Sequence, residues 1–213
     1  MRKNFKWTII SCLAFMIVVL GLFVNRMTID KDLNLEELKD LGAYIILPNR
    51  KLEGFSLLDS SEGIFNPKDF KGKWNVLFFG FTFCPDICPV TMSMLSKVEL
   101  ELDQKIANEV NFYMVTVDPN RDTPKKLKEY LSGNFSEKFI GLTGELDQIY
   151  KFATQVNAPF MPVADFSDSY YTIDHTGSIV LISPEAKYAG FFRLPHKKED
   201  VIKALTAIVV QNY

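Results

Sequence analysis

Cys84 and Cys88 stand in the run Phe81-Thr82-Phe83-Cys84-Pro85-Asp86-Ile87-Cys88-Pro89, with three residues between them and a proline after each. Thiolate is the sulfur species that attacks a disulfide or ligates a metal. A close cysteine pair therefore has three uses: it can exchange electrons as a dithiol, grip a soft cation, or fill a core as two small apolar residues. The common redox motif has a two-residue gap; the wider gap here still permits a disulfide and gives a better bite around an ion. Structural zinc takes four ligands, often from two such pairs, and this chain has no second pair. Two thiolates joined by one imidazole instead suit copper, whose cuprous form prefers soft donors and few of them.

Only two histidines are on offer. His175, in YYTIDHTGSIVLIS, stands just before a strong apolar strand, at the kind of strand mouth where open α/β sheets place their sites. On its residues alone it reads equally as a ligand and as a hydrogen-bonded residue. His196, in RLPHKKED, reads as a surface or hydrogen-bonded residue leading into a helix. Met92 lies four residues beyond Cys88 and carries a thioether, but Met92 and Met94 are two apart and point to different faces, so core packing is their expected use. Asp118 and Asp122, in VDPNRDTP, read as a turn in which Arg121 pairs locally ahead of a capped helix.

The elements that must position these side chains are legible from periodicity. NVLFFGFTF (75–83) is a buried strand that ends at the cysteine motif. VTMSMLSKVELELDQKIA follows with helical spacing, which sets Cys88 in or just before a first helical turn. Free backbone N–H groups and the positive dipole end at such a junction favour an anionic sulfur, and Pro85 and Pro89 stiffen the loop. Further on, NFYMVTVD (111–118) is a strand; TPKKLKEYLSG is a helix capped by Thr123 with Pro124 at its first position. FIGLTG and ELDQIYKFATQVN read as a strand and a helix. Two strands parted by Pro184 and Glu185 make a hairpin, and KKEDVIKALTAIVVQN closes the chain as a helix. The alternation predicts an α/β fold, a mixed central sheet covered by helices on both faces.

At 213 residues there is room for one well-buried domain and a tail, and a net charge of −2 gives no reason to expect nucleic acid as a partner. The tail is at the N-terminus. Trp7 to Val24 carries no charge, and eighteen helical residues reach roughly 27 Å, close to a bilayer's hydrocarbon thickness. Arg2, Lys3 and Lys6 precede this run, while Asp30, Asp32, Glu36 and Glu37 follow it. By the positive-inside rule the N-terminus stays in the cytoplasm and the rest lies outside. A cleaved signal peptide would want small residues at its end, and LFVNRM has none. A lipoprotein site at Cys12 would leave most of the apolar run after it, so Cys12 is expected in lipid as a small apolar residue. The expected organisation is an anchor over 1–25, a juxtamembrane linker over 26–48 and a domain over 49–213. The simple anchor, with no Arg-rich transit peptide, implies a bacterial cytoplasmic membrane with the domain on its extracytoplasmic side.

FGFTFCPDICP, with VDPNRDTP thirty residues on and DHTGSIVLISP later still, resembles the SCO/SenC family of copper-binding proteins. The resemblance runs from about Gly54 to the end, and a CPxxCP motif joined to a downstream Asp-His is specific. It implies a membrane-anchored, thioredoxin-like protein that helps assemble the copper centre of cytochrome c oxidase subunit II. It also implies that Cys84, Cys88 and His175 ligate copper, as Cu(I) or Cu(II), and that Asp118 and Asp122 act near the metal or towards a partner. Other copper carriers and thiol reductants are implied as further partners. Phe83 stands where many members have a histidine, so one extra donor is missing here. The alternative function is a thiol-disulfide oxidoreductase on the same fold; the wide gap and the lack of proline before SIVLIS weigh against it. A redox sensor acting through disulfide formation alone is the third reading.

Overall fold

The computed structural model describes residues 7, 11–20, 33–163, 171–211 and 213. The chain divides into two units, Met1–Asp32 and Leu33–Tyr213. In the first, residues 11–20 form a helix, α1, with exposed side chains. Among the described residues no helix is long and apolar enough to cross a membrane. The expected span from Trp7 to Val24 falls partly outside them, at residues 8–10 and 21–24.

The second unit begins with α2 (Leu35–Asp40), started by a reciprocal cap in which Asn34 accepts from the Glu37 N–H and Glu37 accepts from the Asn34 N–H, each at 3.0 Å. The strands are β1 (Ala43–Lys51), β2 (Leu57–Asp59), β3 (Ile64–Phe65), β4 (Trp74–Gly80), β5 (Val110–Thr116), β6 (Phe139–Thr143), β7 (Phe160–Pro162), β8 (Ile173–His175), β9 (Ile179–Ile182) and β10 (Lys187–Phe192). The helices after α2 are α3 (Ile87–Glu101), α4 (Gln104–Ala107), α5 (Pro124–Asn134), α6 (Leu146–Gln155) and α7 (Lys198–Gln211). Residues 33–48, expected as linker, therefore carry α2 and the first part of β1 within the compact unit.

Eight strands form one sheet in the order β1-β10-β9-β4-β5-β6-β2-β3. β4, β5 and β6 run parallel, and the flanking pairs are antiparallel, which is the mixed sheet the alternation predicts. All seven residues of β4 are buried, as a strand covered on both faces requires. Side chains alternate along it. Phe79 meets Phe152 of α6, with ring centroids 5.5 Å apart. Phe78 and Gly80 face the other way, towards Cys88 of α3. The two helices thus cover opposite faces, and the C-terminal end of β4 opens between them.

Several boundaries differ from the periodicity, each for a local reason. β4 ends at Gly80 rather than Phe83, because Thr82 is captured by the Asp122 carboxylate and the Cys84 N–H turns back to the Phe81 carbonyl at 3.2 Å. The helix after Cys88 breaks at Leu102, where the Asp103 side chain accepts from the Lys105 N–H and starts α4. β5 stops at Thr116, since the Asp118 carbonyl accepts from the N–H groups of Arg121 and Asp122. His175 does not simply precede β9. It ends β8, which pairs with β7 in a separate two-stranded ribbon, where Phe160 stands opposite His175.

Candidate metal centre

Three elements deliver three donors to one place. The turn after β4 carries Cys84, the first turn of α3 carries Cys88, and β8 carries His175. One ligand atom from each lies within 4.8 Å of the others. Cys88 Sγ is 3.4 Å from His175 Nε2. Both cysteines are free thiols, Cys84 half-buried and Cys88 fully buried. These residues make the one cluster of three or more potential metal-ligating side chains among the described residues.

The imidazole is held from several sides. Its Nδ1–H donates to the Thr176 carbonyl at 3.0 Å, which leaves Nε2 with its lone pair towards the sulfurs. Phe78 and Phe81 meet the ring edge-on, with centroids 5.9 and 5.8 Å away. Burial among these rings pushes the His175 pKa below its ordinary value, against the opposing pull of Thr176 and Asp174. The ring is therefore neutral at pH 7 and able to donate a lone pair. Burial pushes the Cys88 thiol far up, with a hydrogen bond from the Phe81 backbone acting in the other direction. Without a cation the buried sulfur keeps its proton.

Gly80 makes room for that sulfur. A Cβ at this position would come within 2.7 Å of Cys88 Sγ and 3.0 Å of the Phe78 ring. Gly80→Ala is expected to destabilise the unit by about 1–3 kcal/mol through overpacking and to weaken metal binding by displacing Cys88. Chemical denaturation and a metal titration on the same sample check both.

Asp118 and Asp122 lie outside the three-donor cluster, and both are fully buried. Asp122 Oδ2 accepts from the Thr82 N–H at 2.9 Å and the Thr116 hydroxyl at 2.8 Å, and Oδ1 accepts from the Thr82 hydroxyl. Burial raises the Asp122 pKa, and the bonds from Thr82 and Thr116 oppose that rise. Asp118 pairs with Arg121 and accepts from the Tyr171 hydroxyl. Thr123 caps α5 as its sequence suggests, accepting from the Lys126 N–H at 3.3 Å. The acidic motif thus anchors the cysteine loop to the end of β5. Tyr171 has no sequence signal for this role, because only the fold brings it to Asp118.

The remaining candidates fall elsewhere. Met92 is fully buried in the core. His196 donates from Nε2 to the Gly177 carbonyl at 2.8 Å and is not among the clustered donors. Phe83 stays 55% exposed beside Cys84, with the Lys126 ammonium 3.6 Å from its ring centroid.

Two soft sulfurs and one neutral imidazole nitrogen, in a site shielded by aromatic rings, fit copper better than hard cations that want oxygen. Known proteins agree with that chemistry. A Stutzerimonas stutzeri protein named for copper binding is 32% identical over 202 residues, 94% of this chain and 97% of its own. Among solved structures, copper-bound ScoI of Bradyrhizobium japonicum is 34% identical with a TM-score of 0.65, covering 73% of this chain and 98% of that one. Copper-bound yeast Sco1 is 30% identical with a TM-score of 0.67, covering 76% and 90%. The SCO1/SenC pattern matches residues 46–210, and the chain belongs to that family.

Proposed function

We propose that this protein is a membrane-tethered copper carrier, holding one copper ion between Cys84, Cys88 and His175 and passing it to an extracytoplasmic cuproprotein. The observation that carries the reading is the convergence of three donors within 4.8 Å, two of them free thiols. Cytochrome c oxidase subunit II is the proposed acceptor, by analogy with the family. The tether is supported by the uncharged run from Trp7 to Val24 and its flanking charges. The proposed location is a bacterial cytoplasmic membrane, with the folded unit outside. Asp118 and Asp122 support the site without ligating.

The residues suggest how cargo is taken and released. Half-exposed Cys84 meets an incoming ion first, and buried Cys88 and His175 complete its coordination. Copper supplies soft coordination that replaces the proton on each thiol. The affinity therefore depends on pH. Cys88, with its raised pKa, releases a proton on binding, whereas His175, already neutral, releases none. The Cys88 proton alone is expected to raise affinity about tenfold per pH unit through neutrality. Calorimetric titration in buffers of different ionisation heat measures the protons released, and a pH-independent affinity would refute the assignment.

Thiol-disulfide exchange with a partner is the second reading, favoured by one observation: Cys84 is partly accessible with Cys88 buried close behind it. A cuprous titration of the reduced full-length protein separates the two. One equivalent bound tightly, and lost in both Cys84→Ala and His175→Ala, supports the carrier. Binding indifferent to His175→Ala, together with efficient turnover of a disulfide substrate, supports exchange instead.

A further inference from the structure

Arg121 packs against aromatic rings from different parts of the metal centre, among them Phe81, 5.7 Å from its guanidinium carbon. Its guanidinium carbon is 4.8 Å from the ring centroid of Phe83, the residue before Cys84. It is also 3.8 Å from the ring centroid of Tyr171, four residues before His175. The same guanidinium donates from Nε to one oxygen of Asp118, and the Tyr171 hydroxyl donates to the other. Asp118 is fully buried, and its own N–H donates to the Thr116 hydroxyl at 2.9 Å, at the end of β5. Arg121 Nη2 is buried with no hydrogen-bond partner among the described residues, so that part of the group is held by ring stacking.

We propose that Asp118, Arg121 and Tyr171 form a clamp that positions His175 over the two sulfurs, setting copper affinity through the imidazole without touching the ion. The geometry supports this in two ways. Both Asp118 oxygens are already engaged, one by a cation and one by a phenol, so the carboxylate acts as a fixed post on the main sheet. β8, in contrast, has only β7 as a strand partner among the described residues. The bond from Tyr171 to Asp118 ties the segment that leads into β8 to that post, and Arg121 packs the same segment against the cysteine loop. A planar, delocalised cation is needed for this, because it must face aromatic rings while hydrogen-bonding in its own plane.

The inference rests on the reading of Cys84, Cys88 and His175 as a copper site, and the test separates the two. Reduced full-length protein is titrated with cuprous ion against a competing chelator. The variants are His175→Ala, Tyr171→Phe and Arg121→Lys, plus the latter two in the His175→Ala background. Tyr171→Phe keeps the ring and deletes the hydroxyl; Arg121→Lys keeps the charge beside Asp118 and loses the planar face. Each single change is expected to lower copper affinity about tenfold, as loss of an orienting partner does. In the His175→Ala background each is expected to change affinity less than about twofold, since nothing remains to be positioned. In the cupric form, the sulfur-to-copper absorption band is expected to move in Tyr171→Phe towards its position in His175→Ala. Losses of the same size in both backgrounds would reduce the three residues to general scaffold and overturn the clamp, as would no loss in either. If Tyr171→Phe does not fold, as judged by the thermal melt of the metal-free protein, Arg121→Lys carries the same comparison. Wild-type affinity that ignores His175→Ala overturns the site reading as well, and that result comes from the parent pair alone.

Discussion

Cys88→Ser is expected to lower cuprous affinity by about two to three orders of magnitude while leaving the fold in place. A closed metal site gains about 10–16 kcal/mol in all, so one of three or four ligands carries about 3–5 kcal/mol. Serine is close to cysteine in size and fits the space that Gly80 leaves, but its hard oxygen is a poor donor to a soft ion. The hydroxyl is buried where the sulfur was, which costs about 1–3 kcal/mol of stability if it stays unpaired. Chelator competition and a denaturant melt of the metal-free protein report the two effects separately. Retained tight binding would remove Cys88 from the ligand set.

Asp122→Ala is expected to show the opposite profile, with a large loss of stability. The carboxylate takes the Thr82 N–H, the Thr82 hydroxyl and the Thr116 hydroxyl, all at a fully buried position. Removing it strands those donors, and each orphaned buried group costs about 1–3 kcal/mol, so about 3–5 kcal/mol in total is expected. Asp122→Asn keeps an acceptor for the Thr82 N–H and is expected to cost less than half as much. Its copper affinity should stay within about threefold of wild type if the carboxylate is not a donor. The folded-state pKa of Asp122 is raised, so its contribution is greatest when the group is protonated, below its unfolded value of about 3.9, and is lost as pH rises through the folded value. Asp122→Asn should therefore lose least relative to wild type near neutral pH and most in acid. Melts across that range measure the trend.

How much of this was legible in the sequence depends on the range of the interaction involved. β4 and α3 follow from local patterns, an unbroken apolar run and a helical one, and the cysteine pair lies at their junction. Thr123 and Pro124 mark the start of α5 because capping is chemistry between near neighbours. His175 was different. Its residues leave ligand and bystander equally open, the family resemblance points to it, and the fold places its ring nitrogen 3.4 Å from Cys88 Sγ. The β7–β8 ribbon was missed because three-residue strands carry too little periodicity to read. Tyr171 was missed because its partner, Asp118, is distant in sequence. The break at Leu102 was hidden by a helical pattern on both sides; Asp103 was the signal, a capping residue inside an otherwise helical run.

The narrow ribbon has a kinetic consequence. A hairpin joined by three residue pairs opens at a far smaller free-energy cost than the eight-stranded sheet, so its amides should exchange sooner than those of β4. Opening of this ribbon would therefore move the imidazole before the sulfurs, and the Tyr171–Asp118 tie is what opposes it. Under the proposed carrier role, the residence time of copper would then follow how often this small ribbon opens, a step that leaves the eight-stranded sheet intact.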